Sequence, residues 1–303
     1  MNEKEILSFW DIPFAGTGDH SLITGSPNRT ESRFLFRDDK ENFYIAEGYN
    51  LRKKSSQIRQ NLLLEFFAEN RLSAVYPFIR TLSGGHGETF NGLFWQIRPY
   101  IPAEKISRPS LGTRVDYGVL WGNFLLQMKE IICRSDNLPS MPNAVFYMSD
   151  FLPELMKFAQ QKMPFITGRL HEFERLLAPF FKWERKAGSM LAHGDFHPGN
   201  ILMEQGKIKA VIDWEFTGMK FPGYDMALLI GCLAMDHPDN LSSPVVRALQ
   251  DTLYKNSFMP DDAWEHLSEM IAATRMGWLG EWLLLEDEGL VRQEMELISI
   301  LLE

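Results

Sequence analysis

One stretch constrains this chain more than any other: residues 191–216, LAHGDFHPGNILMEQGKIKAVIDWEF. His193, Asp195, His197 and Asn200 sit among Gly194 and Pro198-Gly199, a composition for looped backbone. An apolar run, Ile201–Met203, follows; Gln205-Gly206 makes a turn, and a second run returns through Ile208, Ala210, Val211 and Ile212 to Asp213. Two short β-prone runs around a turn containing Gly predict a hairpin. A hairpin folds its ends together, so Asn200 and Asp213 should face each other, with Asp195 one loop away on the same side. Two carboxylates and an amide oxygen in one small volume are hard oxygen ligands of the kind Mg²⁺ prefers. Left alone, the carboxylates would repel and shift their pKa values, so the cluster asks for a cation or a shared proton.

Other readings of the same letters exist. Asp and Asn cap ordinary turns, although four polar residues at fixed spacing before an apolar hairpin exceed what turn chemistry needs. His193-x-Asp195-x-His197 also reads as the ligand string of a metallohydrolase, since alternate residues of an extended strand share one face. Gly194 and Pro198-Gly199 argue for a loop instead, and the hydrolase reading leaves Asn200 and Asp213 without a role.

The spacing resembles a kinase catalytic centre, where a catalytic-loop Asp precedes an Asn by five residues and a metal-binding Asp follows a β-hairpin. Asp195 and Asn200 keep that interval, and Asp213 comes thirteen residues later. H-G-D-x-H-x-x-N followed by I-D-W-E resembles the aminoglycoside phosphotransferase and choline kinase family, with no gap from His193 to Glu215. The resemblance implies an α+β, two-lobed protein-kinase-like fold. A small antiparallel sheet lobe with one helix would span 1–102 and cover the nucleotide; a larger, mainly helical lobe at 103–303 would carry catalysis and bind the acceptor. It implies ATP and Mg²⁺ as cofactors, Asp195 as the base or orienting carboxylate for an acceptor hydroxyl, and Asn200 and Asp213 as metal ligands. His193 would brace the loop, and His197 would lie beside the transferring phosphoryl group.

Composition is that of an ordinary globular protein: 45% hydrophobic and 23% charged residues in 303. A net charge of −9, with no basic run besides Arg52-Lys53-Lys54, argues against a nucleic-acid partner and suits a cationic small molecule. No stretch has the length of a membrane span, and Glu3, Lys4 and Glu5 interrupt what would be a signal-peptide core. A cytoplasmic protein is expected, with Cys133 and Cys232 as buried free thiols. Neither the oligomeric state nor the acceptor's identity is written in the sequence.

Before the hairpin, Ile6, Leu7, Phe9 and Trp10 predict a short packing helix. Strand signals follow at Leu22–Thr24, Ser32–Phe36 and Asn42–Ala46. Gly25, Ser26 and Asn28 would form the phosphate-covering loop by the resemblance, and read equally as an ordinary turn. The main departure comes at the third strand, where the family has a Lys or Arg near the end. Here Phe43–Ala46 is followed by Glu47, and a carboxylate repels phosphate. Either Arg52, Lys53 or another basic group substitutes, or the chain is a pseudokinase that has lost catalysis. A helix capped by Ser55 or Ser56 should run to Asn70, carrying Glu65 where the family's helix Glu would stand. Leu72–Leu82 reads as strand and turn, residues 83–87 as a mobile loop, and Asn91–Tyr100 as a strand leading to the hinge between lobes. Tyr100 and Ile101 are the positions for adenine contact.

The rest reads as helical: 112–134, 149–162, 168–181, 224–235, 243–255, 261–285 and 290–302. Asp225, in a stretch resembling the family's Pro-x-x-Asp-Leu-Ala, would brace the catalytic loop; the helix N-cap is the preferred reading. Trp278, Glu281, Trp282 and Glu286 could wall a cation site, but Trp278, Trp282 and Leu285 also fall at core-stripe spacing. The expected function is ATP-dependent phosphoryl transfer to a hydroxyl of a small molecule such as a sugar, aminoglycoside or amino alcohol.

Overall fold

A computed structural model describes residues 3–19, 30–104 and 106–303. The chain starts with α1 (Glu3–Leu7), then builds an antiparallel sheet from β1 (Gly16–Thr17), β2 (Ser32–Arg37), β3 (Phe43–Asn50), β4 (Glu88–Phe90) and β5 (Leu93–Pro99), ordered β1-β2-β3-β5-β4. Alternation sorts its residues between two faces. Phe34, Phe36, Ala46, Trp95 and Ile97 turn to one side, where Ile6, Leu7 and Trp10 from the N-terminal segment close over them. Ile45, Glu47 and Tyr49 turn to the other, toward the rest of the molecule.

Strand β3 is longer than its apolar letters indicate. Pairing with β5 continues from Tyr44↔Pro99 to Asn50↔Leu93, so Glu47 lies inside the strand and not beyond its end. Helix α2 (Lys54–Glu69) grows directly out of a 3₁₀ turn at Leu51–Lys53, and neither Ser55 nor Ser56 is its cap. The expected strand at 72–82 does not form. Ala74 is left-handed (φ 65°), and only Ile79 bridges to Ile97. Asn61 on α2 holds this segment instead, its amide oxygen accepting from Phe78 N at 2.7 Å.

The second part is helical: α3 (Val115–Arg134), α4 (Met148–Lys162), α5 (Thr167–Glu184), α6 (Tyr224–Asp236), α7 (Pro244–Lys255), α8 (Asp261–Trp264), α9 (Leu267–Leu284) and α10 (Glu288–Leu302). The expected long helix at 261–285 is thus broken between Trp264 and Leu267. Helix α6 is buried from Tyr224 through Ala234, as expected of a helix apolar on all sides. Leu63, Leu64 and Phe67 of α2 join this same core, so α2 belongs in packing terms to the helical part. Cys232 is buried as expected, but Cys133, on the last turn of α3, is exposed. Among the described residues no helix is long and apolar enough to cross a membrane.

Candidate active site

Between α5 and α6 the chain forms two small sheets that present the polar loop. Strand β6 (Met190–Ala192) pairs with β9 (Gly218–Lys220), and the hairpin β7 (Ile201–Glu204)–β8 (Lys207–Val211) projects from between them. Gln205 (φ 49°) and Gly206 (φ 71°) are both left-handed, the backbone a tight two-residue turn demands. Its open end is closed by Ile212 N donating to Asn200 O at 3.0 Å. Asn200 and Asp213 therefore flank the mouth of the hairpin. Asp213 itself is left-handed (φ 61°, ψ 57°), a conformation Asp tolerates better than most side chains.

Asn200 is tied to Asp195. Its Nδ2 donates both to Asp195 O and to Asp195 Oδ2, each at 2.9 Å. With the nitrogen so committed, the amide oxygen is the end left to ligate a cation.

His193 is fully buried and turned inward. Its Nδ1 accepts from Asp195 N at 3.1 Å, so Nε2 carries the proton and donates to Ile212 O at 2.9 Å. One imidazole thus ties the loop to the hairpin's return. Burial pushes its pKa down to about 4, so it is neutral at physiological pH and exchanges no proton there. Both nitrogens being engaged within the backbone, His193 is no ligand. The string His193-x-Asp195-x-His197 therefore does not present three ligands to one metal, because its first histidine is turned inward.

Asp225 braces the loop from below. Its carboxylate accepts from His193 N at 2.7 Å and Gly194 N at 2.9 Å, while Gly223 occupies the cap position of α6. The preference for Asp225 as an N-cap is corrected: two consecutive loop amides needed an acceptor, and Asp225 lies two residues past the cap position, Gly223. Burial raises its pKa to about 6, with the two amides and Lys220 opposing. Gly194 is irreplaceable in its conformation (φ 87°), because a Cβ there would lie 2.2 Å from Phe216 O.

His197 faces Asp195 from the other side, Nε2 lying 3.6 Å from Oδ1, while its Nδ1 accepts from Gly199 N at 3.1 Å. Trp278 on α9 packs edge-on against this ring at 5.5 Å. Trp278 therefore stands beside the polar loop, with the Trp282 ring packed on it at 5.5 Å, whereas Trp282 Nε1 donates to buried Glu294 and Glu286 pairs with Lys162. Leu285 is 54% exposed, so the core stripe ends before it.

A cleft lies between the hairpin and the inner face of the sheet, lined by Glu47, Tyr49, Gln57, Arg98, Ile212 and Asp213, among others. Glu47 is not bare. Arg98 on β5 donates to it through Nε at 3.0 Å and Nη2 at 3.4 Å, and Tyr49 Oη adds a bond at 3.1 Å. Burial works against the Arg98 charge, but Glu47 more than offsets it and the guanidinium is held charged. Glu65 pairs elsewhere, with Arg80 at 2.7 Å. Of the two hinge positions, Ile101 lines the cleft, and the Tyr100 N–H donates to Phe43 O at 2.8 Å. Gly25, Ser26 and Asn28 lie outside the described residues. Reading the sequence missed Arg98 and Gln57; alternation along Phe94–Pro99 was the available signal for Arg98, which it places on the same face as Gln96.

The family model described as "Phosphotransferase enzyme family" matches residues 26–265. The chain belongs to this family. It is thus a small-molecule phosphotransferase, in the kinase class of enzymes. No curated protein matches the sequence. Among solved structures, amicoumacin kinase hAmiN in complex with AMP-PNP, Ca²⁺ and Ami superimposes with a TM-score of 0.74 at 14% identity, over 98% of this chain and 92% of that one. Spectinomycin phosphotransferase APH(9)-Ia, in complex with ADP and spectinomycin, gives 0.67 at 13%, over 98% and 95%. Aminoglycoside phosphotransferase from Alicyclobacillus acidocaldarius gives 0.62 at 12%, over 98% and 94%. At such identities the likeness is one of fold: the two-lobed, protein-kinase-like α+β architecture.

Proposed function

We propose that this phosphotransferase moves the γ-phosphoryl group of ATP to a hydroxyl of a small, amine-bearing molecule. The observation that carries the reading is the disposition of Asp195, Asn200 and Asp213 at the hairpin mouth, opening on a cleft roofed by the sheet. We place the lobe boundary at Pro102, between the last sheet strand and the first helical turn at Arg108.

The donor set suits Mg²⁺, which takes one or two carboxylates and keeps its remaining positions for phosphate and water. Asn200 Oδ1 and the Asp213 carboxylate would hold it. When bound there the ion would neutralise charge on the nucleotide phosphates. The protein's own task is then positioning. Asp195, oriented by Asn200 Nδ2 and faced by His197, would align the acceptor hydroxyl and receive its proton late. His193 and Asp225 would act through the backbone, keeping the loop's shape without touching substrate. The acidic chain and the half-buried Trp278 next to His197 suit a cationic acceptor, in keeping with the antibiotics bound by the structural neighbours.

The second reading, a kinase-like binding protein without turnover, is motivated by Glu47. Its pairing with Arg98 favours catalysis, because a neutralised carboxylate no longer repels phosphate. A thermal melt with and without Mg·ATP, with wild type and Asp213→Ala, tests the site. A stabilisation that requires Mg²⁺ and vanishes in the variant is expected, and Asp195→Asn should abolish turnover against a panel of sugars and amino alcohols. Near-normal activity in either variant would sink the mechanism.

A further inference from the structure

We propose that Arg98, carried by β5, is the cation that grips the nucleotide phosphates in this chain, with Glu47 as the positioning residue that aims it. The inference rests on the phosphotransferase reading and concerns how that site is built.

The basic candidates near the sequence gap do not reach the site. Arg52 and Lys53 lie on the exposed 3₁₀ turn past the end of β3, not on the inner face of the sheet. Arg98 does lie there. Its partner in register is Ile45, one alternation from Glu47, and both Ile45 and Glu47 turn inward. Neighbouring strands lie about 4.8 Å apart, so moving the cation from β3 to β5 displaces its root by one strand spacing, which the long Arg side chain spans. What remains on β3 is a carboxylate of the sign needed to hold that Arg. The charges have exchanged strands.

Chemistry supports the exchange. Guanidinium is a planar fork with five N–H donors. Arg98 spends Nε and Nη2 on Glu47, and Nη1 adds two more donors suited to phosphate oxygens. A Lys on Glu47 would be a point charge already neutralised, whereas the fork serves two acceptors at once. Tyr49 Oη donates to the same Glu47 oxygen as Arg98 Nε, so a second donor holds the carboxylate in place.

An independent observation marks the cleft as built for a ligand. Gln57 on α2 is 4% exposed, lines the same cleft, and its Oε1 is buried with no hydrogen-bond partner. A buried acceptor without a donor is costly. It asks for a ligand bringing N–H or O–H groups as well as phosphate, as a nucleoside triphosphate does.

The test is equilibrium binding of Mg·ATP, Mg·ADP and adenosine, by calorimetry, to wild type and four variants of the full chain. Arg98→Met should weaken Mg·ATP by roughly 10–100-fold, the loss of one charged hydrogen-bonding group, with adenosine affinity within about twofold of wild type. Because Arg98→Met also strands Glu47 as a buried unpaired charge, Arg98→Met/Glu47→Gln removes both and should lose Mg·ATP to a similar degree while keeping the wild-type melting temperature more closely. Arg98→Lys should keep part of the affinity, and Glu47→Gln should lose less than Arg98→Met. The inference is overturned if Arg98→Met/Glu47→Gln, folded, binds Mg·ATP as wild type does, or loses adenosine equally. Failure of the wild type itself to bind any nucleotide would overturn the phosphotransferase reading as well, and so is told apart from failure of the Arg98 assignment.

Discussion

Glu294→Ala should destabilise the protein out of proportion to the change in size. Arg275 on α9 and Glu294 on α10 are 2% and 0% exposed, and they face each other in a two-pronged bond, Nε to Oε2 at 2.9 Å with Nη2 to Oε1 beside it. Trp282 Nε1 reaches the same carboxylate at 3.0 Å, and Arg275 Nη1 touches Cys232 Sγ at 3.2 Å. Removing the carboxylate leaves a guanidinium sealed in the core, which costs about 3–5 kcal/mol. An unfolding entropy of about 2.1 cal/mol/K per residue gives about 0.6 kcal/mol/K for 303 residues, so the melting temperature should drop by about 5–8 °C. Removing both charges is another matter. Arg275→Met/Glu294→Leu loses the attraction and the desolvation cost together, and should fall within about 1 kcal/mol of wild type. Urea unfolding of wild type, Arg275→Met, Glu294→Leu and the double variant closes the cycle and isolates the coupling. The reasoning fails if Glu294→Ala melts within a degree of wild type, or if the double variant is as unstable as the single. Arg275 also lies over the Trp278 ring at 5.5 Å, and Trp278 abuts His197, so the same variant should raise the acceptor KM more than it lowers kcat.

Two further outcomes follow from burial. His193 has its pKa pushed from the usual value near 6.5 down to about 4 in the folded chain. The unfolded chain therefore binds the proton first, so the stability His193 confers is complete above pH 6.5 and lost as pH falls toward 4, about 3 kcal/mol in all. Urea midpoints between pH 4 and 7 should fall steeply for wild type and less steeply for His193→Gln; parallel curves would refute this. Exposed Cys133 should react with a thiol reagent in the native protein, whereas buried Cys232, its thiol pushed up to about 11 by burial, should react only on unfolding. Two fast-reacting thiols in the native state would count against the packing of α6.

The β7–β8 hairpin was legible because its signals are local. Gln205-Gly206 specifies the turn, the runs on either side specify the strands, and the turn then decides that Asn200 and Asp213 meet. Helices α3 to α7 and α10 were legible for the same reason: a 3.6-residue pattern needs no knowledge of what it packs on. The errors lie where tertiary partners decide. Residues 72–82 have strand-like letters, but Pro77 and left-handed Ala74 interrupt the pairing, and Asn61 on α2 takes up Phe78 N instead. Cys133 sits in apolar sequence, yet the helix end that carries it projects past the core.

Glu47 shows the limit most plainly. Read along the chain, a carboxylate where a cation belongs looks like lost chemistry. Read across the sheet, it is half of an ion pair whose other half is fifty-one residues further on, in a strand whose register with β3 is set by Tyr44↔Pro99 and Asn50↔Leu93. Period-2 alternation puts Arg98 on one face of β5, but only the register shows that this face is Glu47's. Asp225 is the same case: its letter fits a helix start, and only the fold shows two orphan amides, His193 N and Gly194 N, waiting above it. In both, a single position is uninformative because its job is to complete a group on another element. A charge in this chain is therefore to be judged by the element packed against it before it is judged by the family position it occupies, and by that standard Glu47 is the paired acceptor of Arg98 and not a bare carboxylate.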